Sequence, residues 1–303
     1  MNNYHSSMST SKADYLIIGA GVFGASTALH LCQQEPSASI VLIDQTSFPC
    51  PMGASHDINK IIRADYSDRF YCGLAIKAQQ AWRTDPIYKT YYHQTGMVVV
   101  DDTGLGGRVI ENFKQLGEHY EAEIFGPEDL KRRFGGIYID TDLRGVEEIF
   151  WNPLSGWAEA ASALKRVIEV AVESGVKYVA ASVTRLIFDD RRVCIGVKAA
   201  DGTEIHASKV ILCTGAGTAK LIADSAPEWP DLWIEDRIIA AGVCTAAIKL
   251  TDEQIRKFND VPVLVHEVGN VLGMNNASPS RTPIRLMSDT VQERQCHRPL
   301  TAS

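Results

Sequence analysis

No apolar run in the 303-residue chain reaches the roughly 18–20 residues that a membrane-crossing helix requires, so no membrane partner is expected. The opening stretch, MNNYHSSMSTSKAD, lacks the apolar core of a secretory leader, and Thr301-Ala302-Ser303 does not match a peroxisomal address. Both point to the cytoplasm. Basic charge is scarce: 30 Lys and Arg against 37 Asp and Glu leave a net charge of −7. With no basic run to offset it, this argues against a nucleic-acid partner. There is no CxxC among the seven cysteines (Cys32, Cys50, Cys72, Cys194, Cys213, Cys244 and Cys296), whose number is odd and spacing scattered. That fits reduced core thiols better than a disulfide framework or a zinc site. No His, Cys, Asp or Glu set has metal-ligand spacing, and no GxSxG nucleophile turn occurs.

What is present is the composition of an ordinary globular enzyme, 45% apolar and 22% charged, long enough for two domains or one domain with an inserted lobe. Residues 14–19 (DYLIIG) form an apolar run of strand length ending in glycine, 24–33 read as a helix with Ala25, Ala28, Leu29 and Cys32 on its apolar face, and 39–43 (SIVLI) read as a second strand ending at Asp44. Strand, glycine turn, helix, strand and acid within about 30 residues match the first βαβ unit of a doubly wound sheet. Further along, helices are expected at 68–82, 128–134 and 156–174, and strands at 96–101, 193–199, 205–207 and 209–213.

The turn Gly19-Ala20-Gly21-Val22-Phe23-Gly24 is where chemistry enters. Gly19 permits a tight turn, Gly21 lets the backbone approach a pyrophosphate, and Gly24 lets helix and strand pack closely, while the helix N-terminus favours negative charge. Asp44, 20 residues after Gly24, can accept hydrogen bonds from a ribose 2′-OH and would repel a 2′-phosphate. The bland alternative is a glycine turn without a ligand. This motif does not separate NAD from FAD. A second small-residue turn, Thr214-Gly215-Ala216-Gly217 after the apolar run VILC, favours FAD. A third segment, Ser55-His56-Asp57-Ile58-Asn59-Lys60-Ile61-Ile62-Arg63, places Lys60 and Arg63 three apart, on one face of a helical turn. One cation can stabilise a reduced, anionic flavin and the other can grip a substrate carboxylate bidentately. The bland reading is a solvated basic turn. His56 and His93 are acid–base candidates, whereas His206, His266 and Trp157 read as structural.

In this order and spacing, GAGVFG, Asp44, SHDINKIIR, Gly156-Trp157 and VILCTGAG resemble the monomeric sarcosine oxidase and D-amino-acid oxidase group of flavoenzymes, and above all fungal fructosyl-amino-acid oxidases (amadoriases) and saccharopine and pipecolate oxidases. Ile248–Glu253 with Val261-Pro262-Val263 is similar to the amadoriases too, so the resemblance covers about residues 13–270. It implies an α/β fold with a glutathione-reductase-type FAD-binding Rossmann domain made from residues 13–65 and 150–225, and a discontinuous substrate lobe from 66–149 and 226–273. It implies that Gly19, Gly21, Val22, Phe23 and Gly24 line the pyrophosphate and that Asp44 holds the ribose. Ser55 and Lys60 fall where the family contacts the flavin, Lys60 and Arg63 at its two basic positions near the reacting centre, Val183 at a backbone contact to adenine, and Gly215 at the second FAD turn. The implied reaction is oxidation of a secondary amine or N-substituted amino acid by a monomeric enzyme, with oxygen as acceptor and peroxide as product.

Near Gly269–Gly273 the resemblance fades, and residues 274–303 form a polar stretch expected to stay unpacked. Family members continue further, with a cysteine that attaches FAD covalently in many of them. Cys296, in Arg294-Gln295-Cys296-His297, does not match that context. Two other readings follow: a truncated flavin-fold protein with weak or no activity, and an NAD-dependent dehydrogenase.

Overall fold

A computed structural model describes residues 12–240, 245–266, 273–275 and 284–287. Its strands are β1 (Ala13–Ile18), β2 (Ile40–Asp44), β3 (Lys60–Ile62), β4 (Tyr92–His93), β5 (Met97–Val100), β6 (Glu123–Phe125), β7 (Ile149–Asn152), β8 (Gly156–Ala158), β9 (Lys177–Ala180), β10 (Val183–Phe188), β11 (Cys194–Ala199), β12 (Glu204–Leu212), β13 (Thr245–Ile248), β14 (Val263–His266), β15 (Gly273–Asn275) and β16 (Ile284–Met287). The helices are α1 (Val22–Gln34), α2 (Arg69–Thr84), α3 (Leu105–Gln115), α4 (Pro127–Arg132), α5 (Ala160–Glu173), α6 (Thr218–Ser225) and α7 (Asp252–Phe258).

The described chain divides into two compact units. One runs up to Asn59 and resumes over Glu159–Ala240, and the other holds Lys60–Ala158 and the described residues beyond 244. The divisions at 59/60 and 158/159 differ from the expected 65/66 and 149/150. β3 pairs with β8 (Lys60 opposite Ala158, Ile62 opposite Gly156), which carries both strands into the second unit.

The first unit is built on a six-stranded sheet of order β10-β11-β12-β1-β2-β9. β12, β1, β2 and β9 are parallel, and β10 and β11 add to the edge antiparallel. Leu16, Ile17, Leu42 and Ile43 have no exposed surface, as expected for near-continuous apolar strands covered on both faces. Each such side chain contributes about 1.5–3 kcal/mol through burial. One face of the sheet packs a cluster of Leu16, Ile18, Val41, Ile43, Leu186, Val197 and Leu221. The expected strands at 205–207 and 209–213 are a single strand, β12, because Ser208 continues the ladder rather than breaking it.

The second unit has a seven-stranded sheet, β13-β16-β15-β14-β5-β7-β6, and a three-stranded sheet, β3-β8-β4. β5 is completely buried, pairing parallel with β14 and antiparallel with β7. The helix expected over 156–174 begins only at Ala160; Gly156, Trp157 and Ala158 form β8, buried at all three positions. Trp157 is therefore a strand residue rather than packing at a helix start. Within the stretch 274–303, Met274–Asn275 and Ile284–Met287 lie in strands that pair with each other, and the rest of that stretch, Cys296 included, lies outside the described residues. Among the described residues no helix is long and apolar enough to cross a membrane.

Candidate cofactor site and the basic strand

β1 delivers the chain into the first glycine turn, and β12 delivers it into the second. The parallel ladder ties both turns down: the Cys213 N–H donates to the Ile18 carbonyl at 2.7 Å, which joins the second turn to the end of β1, and the Gly19 N–H donates to the Ile43 carbonyl at 2.8 Å, which joins the first turn to the end of β2. Gly19 has φ +96°, and a Cβ there would overlap the Cys213 carbonyl oxygen. Gly24 is equally constrained, since a Cβ on it would overlap the Gly19 carbonyl oxygen. These two glycines serve packing. Gly21 differs: it stands at the N-cap of α1 in extended conformation, and a Cβ built on it meets only the Ser55 side chain, with Oγ at 3.2 Å. The backbone before α1 is thus open to an approaching group, as a pyrophosphate-binding turn requires.

The helix N-terminus has a second polar element. The Val22 N–H donates to Ser55 Oγ at 2.9 Å. The hydroxyl accepts from the helix and keeps its own proton for another acceptor. The side chains of Val22 and Phe23 point away from a polar role; Phe23 is 78% exposed, so only their backbone can serve an anion. Asp44, at the end of β2, accepts the Ala20 N–H at 2.6 Å on one oxygen and the Gln45 N–H at 2.7 Å on the other. These bonds fix the carboxylate's orientation and leave lone pairs for a ribose hydroxyl. The Asp44 carbonyl accepts the Ala181 N–H at 2.7 Å, which brings the β9–β10 connection, with Val183 at its far end, past the end of β2. In the second turn Gly215 has φ +52° and an unfilled Cβ position, and Thr214 and Thr218 share a hydroxyl–hydroxyl bond of 2.8 Å. The first unit therefore brings together Gly19, Gly21, Gly24, Asp44 and Ser55, with Gly215 on the turn packed beside Gly19.

Asn59, at the end of this unit's first segment, is 2% exposed, and neither its Oδ1 nor its Nδ2 has a hydrogen-bond partner. A buried carboxamide without partners costs roughly 1–3 kcal/mol per group, a cost that a hydrogen-bonding ligand would relieve. An open glycine cradle, an oriented ribose-type carboxylate and an orphaned amide fit an adenine dinucleotide such as FAD.

Lys60 and Arg63 belong to the second unit. The expectation that they share the face of a helical turn is corrected: Lys60 opens strand β3, and along an extended chain residues three apart point to opposite faces. Arg63 follows the strand, half-buried, with its guanidinium 5.0 Å above the Tyr66 ring. His56 is exposed, and His93 stacks on Trp157 at 4.0 Å with an interplanar angle of 21°. Sequence reasoning missed a buried polar cluster beside Arg63. Asp65 accepts from Asn152 Nδ2 at 2.6 Å and from Ser155 Oγ at 2.9 Å, and Gln79 Nε2 donates to Ser155 Oγ at 3.5 Å. Tyr120 Oη donates to Gln79 Oε1 at 2.9 Å. Burial pushes the Asp65 carboxyl above its usual range, while Asn152, Ser155 and the nearby Arg63 charge pull the other way. Its partners lie 87 and 90 residues away, beyond the reach of any local pattern.

Residues 14–254 match the family model described as FAD dependent oxidoreductase. The L-saccharopine oxidase of Schizosaccharomyces pombe is 28% identical over 265 residues, covering 82% of this chain and 59% of that protein. Peroxisomal sarcosine oxidase of Homo sapiens is 30% identical over 134 residues, covering 42% of this chain and 32% of that one. Among solved structures, fructosamine oxidase from Aspergillus fumigatus (Amadoriase II) superposes with a TM-score of 0.71 at 25% identity, covering 91% of this chain and 63% of that one. A thermally stable mutant of fructosyl peptide oxidase gives a TM-score of 0.77 at 23% identity, with 91% and 64% covered. The chain spans about three fifths of the length of the saccharopine oxidase and of these oxidase structures.

Proposed function

The chain belongs to the FAD dependent oxidoreductase family, and on that footing we propose that it oxidises the C–N bond of a secondary amine or N-substituted amino acid, with oxygen as acceptor and peroxide as product. The observation that carries this reading is the pairing of the two glycine turns around Gly19 and Cys213, with Gly21 left open and Asp44 oriented beside it. FAD, when bound, would supply a two-electron acceptor for oxidation at the carbon next to nitrogen.

The chain's own residues do the rest. Gly21 would admit the pyrophosphate at the N-terminus of α1, where the Val22 N–H is already taken by Ser55 and the positive end of the helix dipole favours an anion. The Ser55 hydroxyl, already accepting from Val22, donates its proton outward. Asp44 accepts from the ribose, and the backbone at Val183 contacts adenine. Lys60 is a fixed positive charge that favours the reduced cofactor and its reaction with oxygen. Arg63 grips the carboxylate of an amino-acid substrate with its planar fork. This describes a monomer acting on a small molecule in the cytoplasm, without nucleic acid, to which the net charge of −7 is unsuited.

The test is direct. Purified protein loaded with FAD should turn yellow, and a peroxide assay without nicotinamide should respond to at least one of fructosyl-lysine, saccharopine, pipecolate and an N-methyl amino acid. Flavin uptake with no peroxide from any of them overturns the substrate class; no flavin uptake overturns the reading altogether.

A further inference from the structure

Arg63 is half-buried, yet among the described residues its guanidinium makes no hydrogen bond and no ion pair. What it touches is a ring: Cζ lies 5.0 Å from the centroid of Tyr66, within the roughly 6 Å over which a cation is attracted to an aromatic face. Tyr66 lies on the connection between β3 and α2, 38% exposed, with a hydroxyl that has no partner among the described residues. Its backbone, by contrast, is fixed on both sides. The Tyr66 N–H donates to the Ala64 carbonyl at 3.0 Å, and Asn112 Nδ2, on α3, donates to the carbonyls of Tyr66 and Ser67 at 3.0 and 2.9 Å. Before it, the Asp65 carboxyl accepts from Asn152 and Ser155. After it, Asp68 caps α2 by accepting the Tyr71 N–H at 3.0 Å. An exposed ring adds little to the core, so this fixation of the backbone matters for where the ring stands.

We propose that Tyr66 is the positioning residue of Arg63: its ring, fixed through its own backbone by Asn112, holds the guanidinium in place and leaves the N–H donors free for the carboxylate of the substrate. This rests on the reading of Arg63 as the carboxylate anchor. The choice of a ring as partner has a chemical consequence. An acidic side chain would hold a guanidinium by its N–H fork, occupying the donors and neutralising the charge that a substrate needs. An aromatic ring attracts the cation through its π system, accepts none of the fork's hydrogen bonds in doing so, and leaves the charge in full. The competing account is plain packing of two neighbouring side chains. Packing affects stability alike whatever binds, whereas a positioning ring acts on anionic ligands and only through Arg63.

The experiment measures binding by titration calorimetry to the FAD-loaded protein at pH 8, with picolinate, which carries a carboxylate, and picolinamide, its neutral counterpart of the same shape; neither can be oxidised as an amine. Tyr66→Leu removes the ring at an exposed position and leaves the Asn112 bonds, which go to backbone carbonyls. It should weaken picolinate about fivefold and leave picolinamide and FAD content unchanged. Tyr66→Gln stands in if Tyr66→Leu does not fold. Tyr66→Phe keeps the ring and should bind picolinate within about twofold of the native protein, because the hydroxyl has no partner to lose. In an Arg63→Gln background Tyr66→Leu should change nothing further, since the two act as one unit. Unchanged picolinate binding in Tyr66→Leu, an equal loss for both ligands, a loss as large in Tyr66→Phe, or a full further loss on top of Arg63→Gln overturns the assignment. If Arg63→Gln abolishes the preference for picolinate while Tyr66→Leu retains it, Tyr66 loses its role and Arg63 keeps its own. If the native protein shows no preference for picolinate, or takes up no flavin, both fall.

Discussion

The Val22 amide, the first N–H of α1, donates to the hydroxyl of Ser55, 33 residues along the chain, at 2.9 Å. The bond lies at an exposed position, so it adds little to folding, but it places a hydroxyl proton in front of a helix N-terminus. Ser55→Ala should therefore weaken FAD by about 1 kcal/mol, roughly fivefold in Kd, with the melting temperature of the FAD-free protein unchanged within about 1 °C. Fluorescence titration with FAD and a thermal melt measure the two quantities. A fall in stability without a fall in affinity would make Ser55 a helix cap and nothing more.

The three glycines of the first turn should respond differently to substitution. Gly21 has φ −69°, which any residue can adopt, and a Cβ there meets only Ser55. Gly21→Val should fold, with native circular dichroism, and fail to retain flavin because its methyl groups fill the cradle. Gly19→Ala meets a positive φ and the Cys213 carbonyl, and Gly24→Ala meets the Gly19 carbonyl. Both should destabilise the protein by at least about 2 kcal/mol, visible in urea unfolding. Retained flavin in Gly21→Val would refute the pyrophosphate assignment.

This contrast shows how far the sequence could be read. The βαβ unit was legible because its signals are local: two apolar runs of strand length, a glycine turn and an acid within about 30 residues. Near Lys60 and Gly156 the local signal misled. β3 and β8 are only three residues each, too short for alternation to show, and the apolar period of α5 extended backwards over Trp157. The Asp65 cluster and the orphaned Asn59 amide were illegible for a different reason. Their meaning lies in what surrounds them, and the surroundings of Asp65 come from β7 and β8, about 90 residues later.

Lys60 offers a kinetic test of the basic strand. It is exposed, at the first position of β3, opposite Ala158, so Lys60→Ala removes a charge without opening the core. We expect reoxidation of the reduced flavin by oxygen to slow by at least tenfold, with FAD affinity changed less than threefold. A preorganised cation near developing negative charge is worth several kcal/mol in a protected site and less where water competes. Stopped-flow mixing of the reduced protein with oxygenated buffer reads the rate. An unchanged rate would remove Lys60 from the oxygen reaction and leave it as a surface charge.

The Asp65 carboxyl also makes a prediction about stability, with a sign that runs against the usual carboxylate. Burial is the largest influence on it and raises its folded value above that of the unfolded chain, against the pull of Asn152, Ser155 and Arg63. A group raised in the folded state binds its proton more tightly there. Its contribution is fully present below the unfolded value near pH 4 and is lost as pH rises through the folded value. The native protein should therefore lose stability relative to Asp65→Asn as pH rises from about 4 to 8, because the asparagine carries no proton to lose. Urea unfolding of both proteins across that range, compared as the difference in unfolding free energy at each pH, isolates the one group. A flat difference would mean that Arg63 and the two clamps fully offset the cost of burying the charge. A difference growing in favour of the native protein would mean that they exceed it, placing Asp65 among the ordinary stabilising carboxylates.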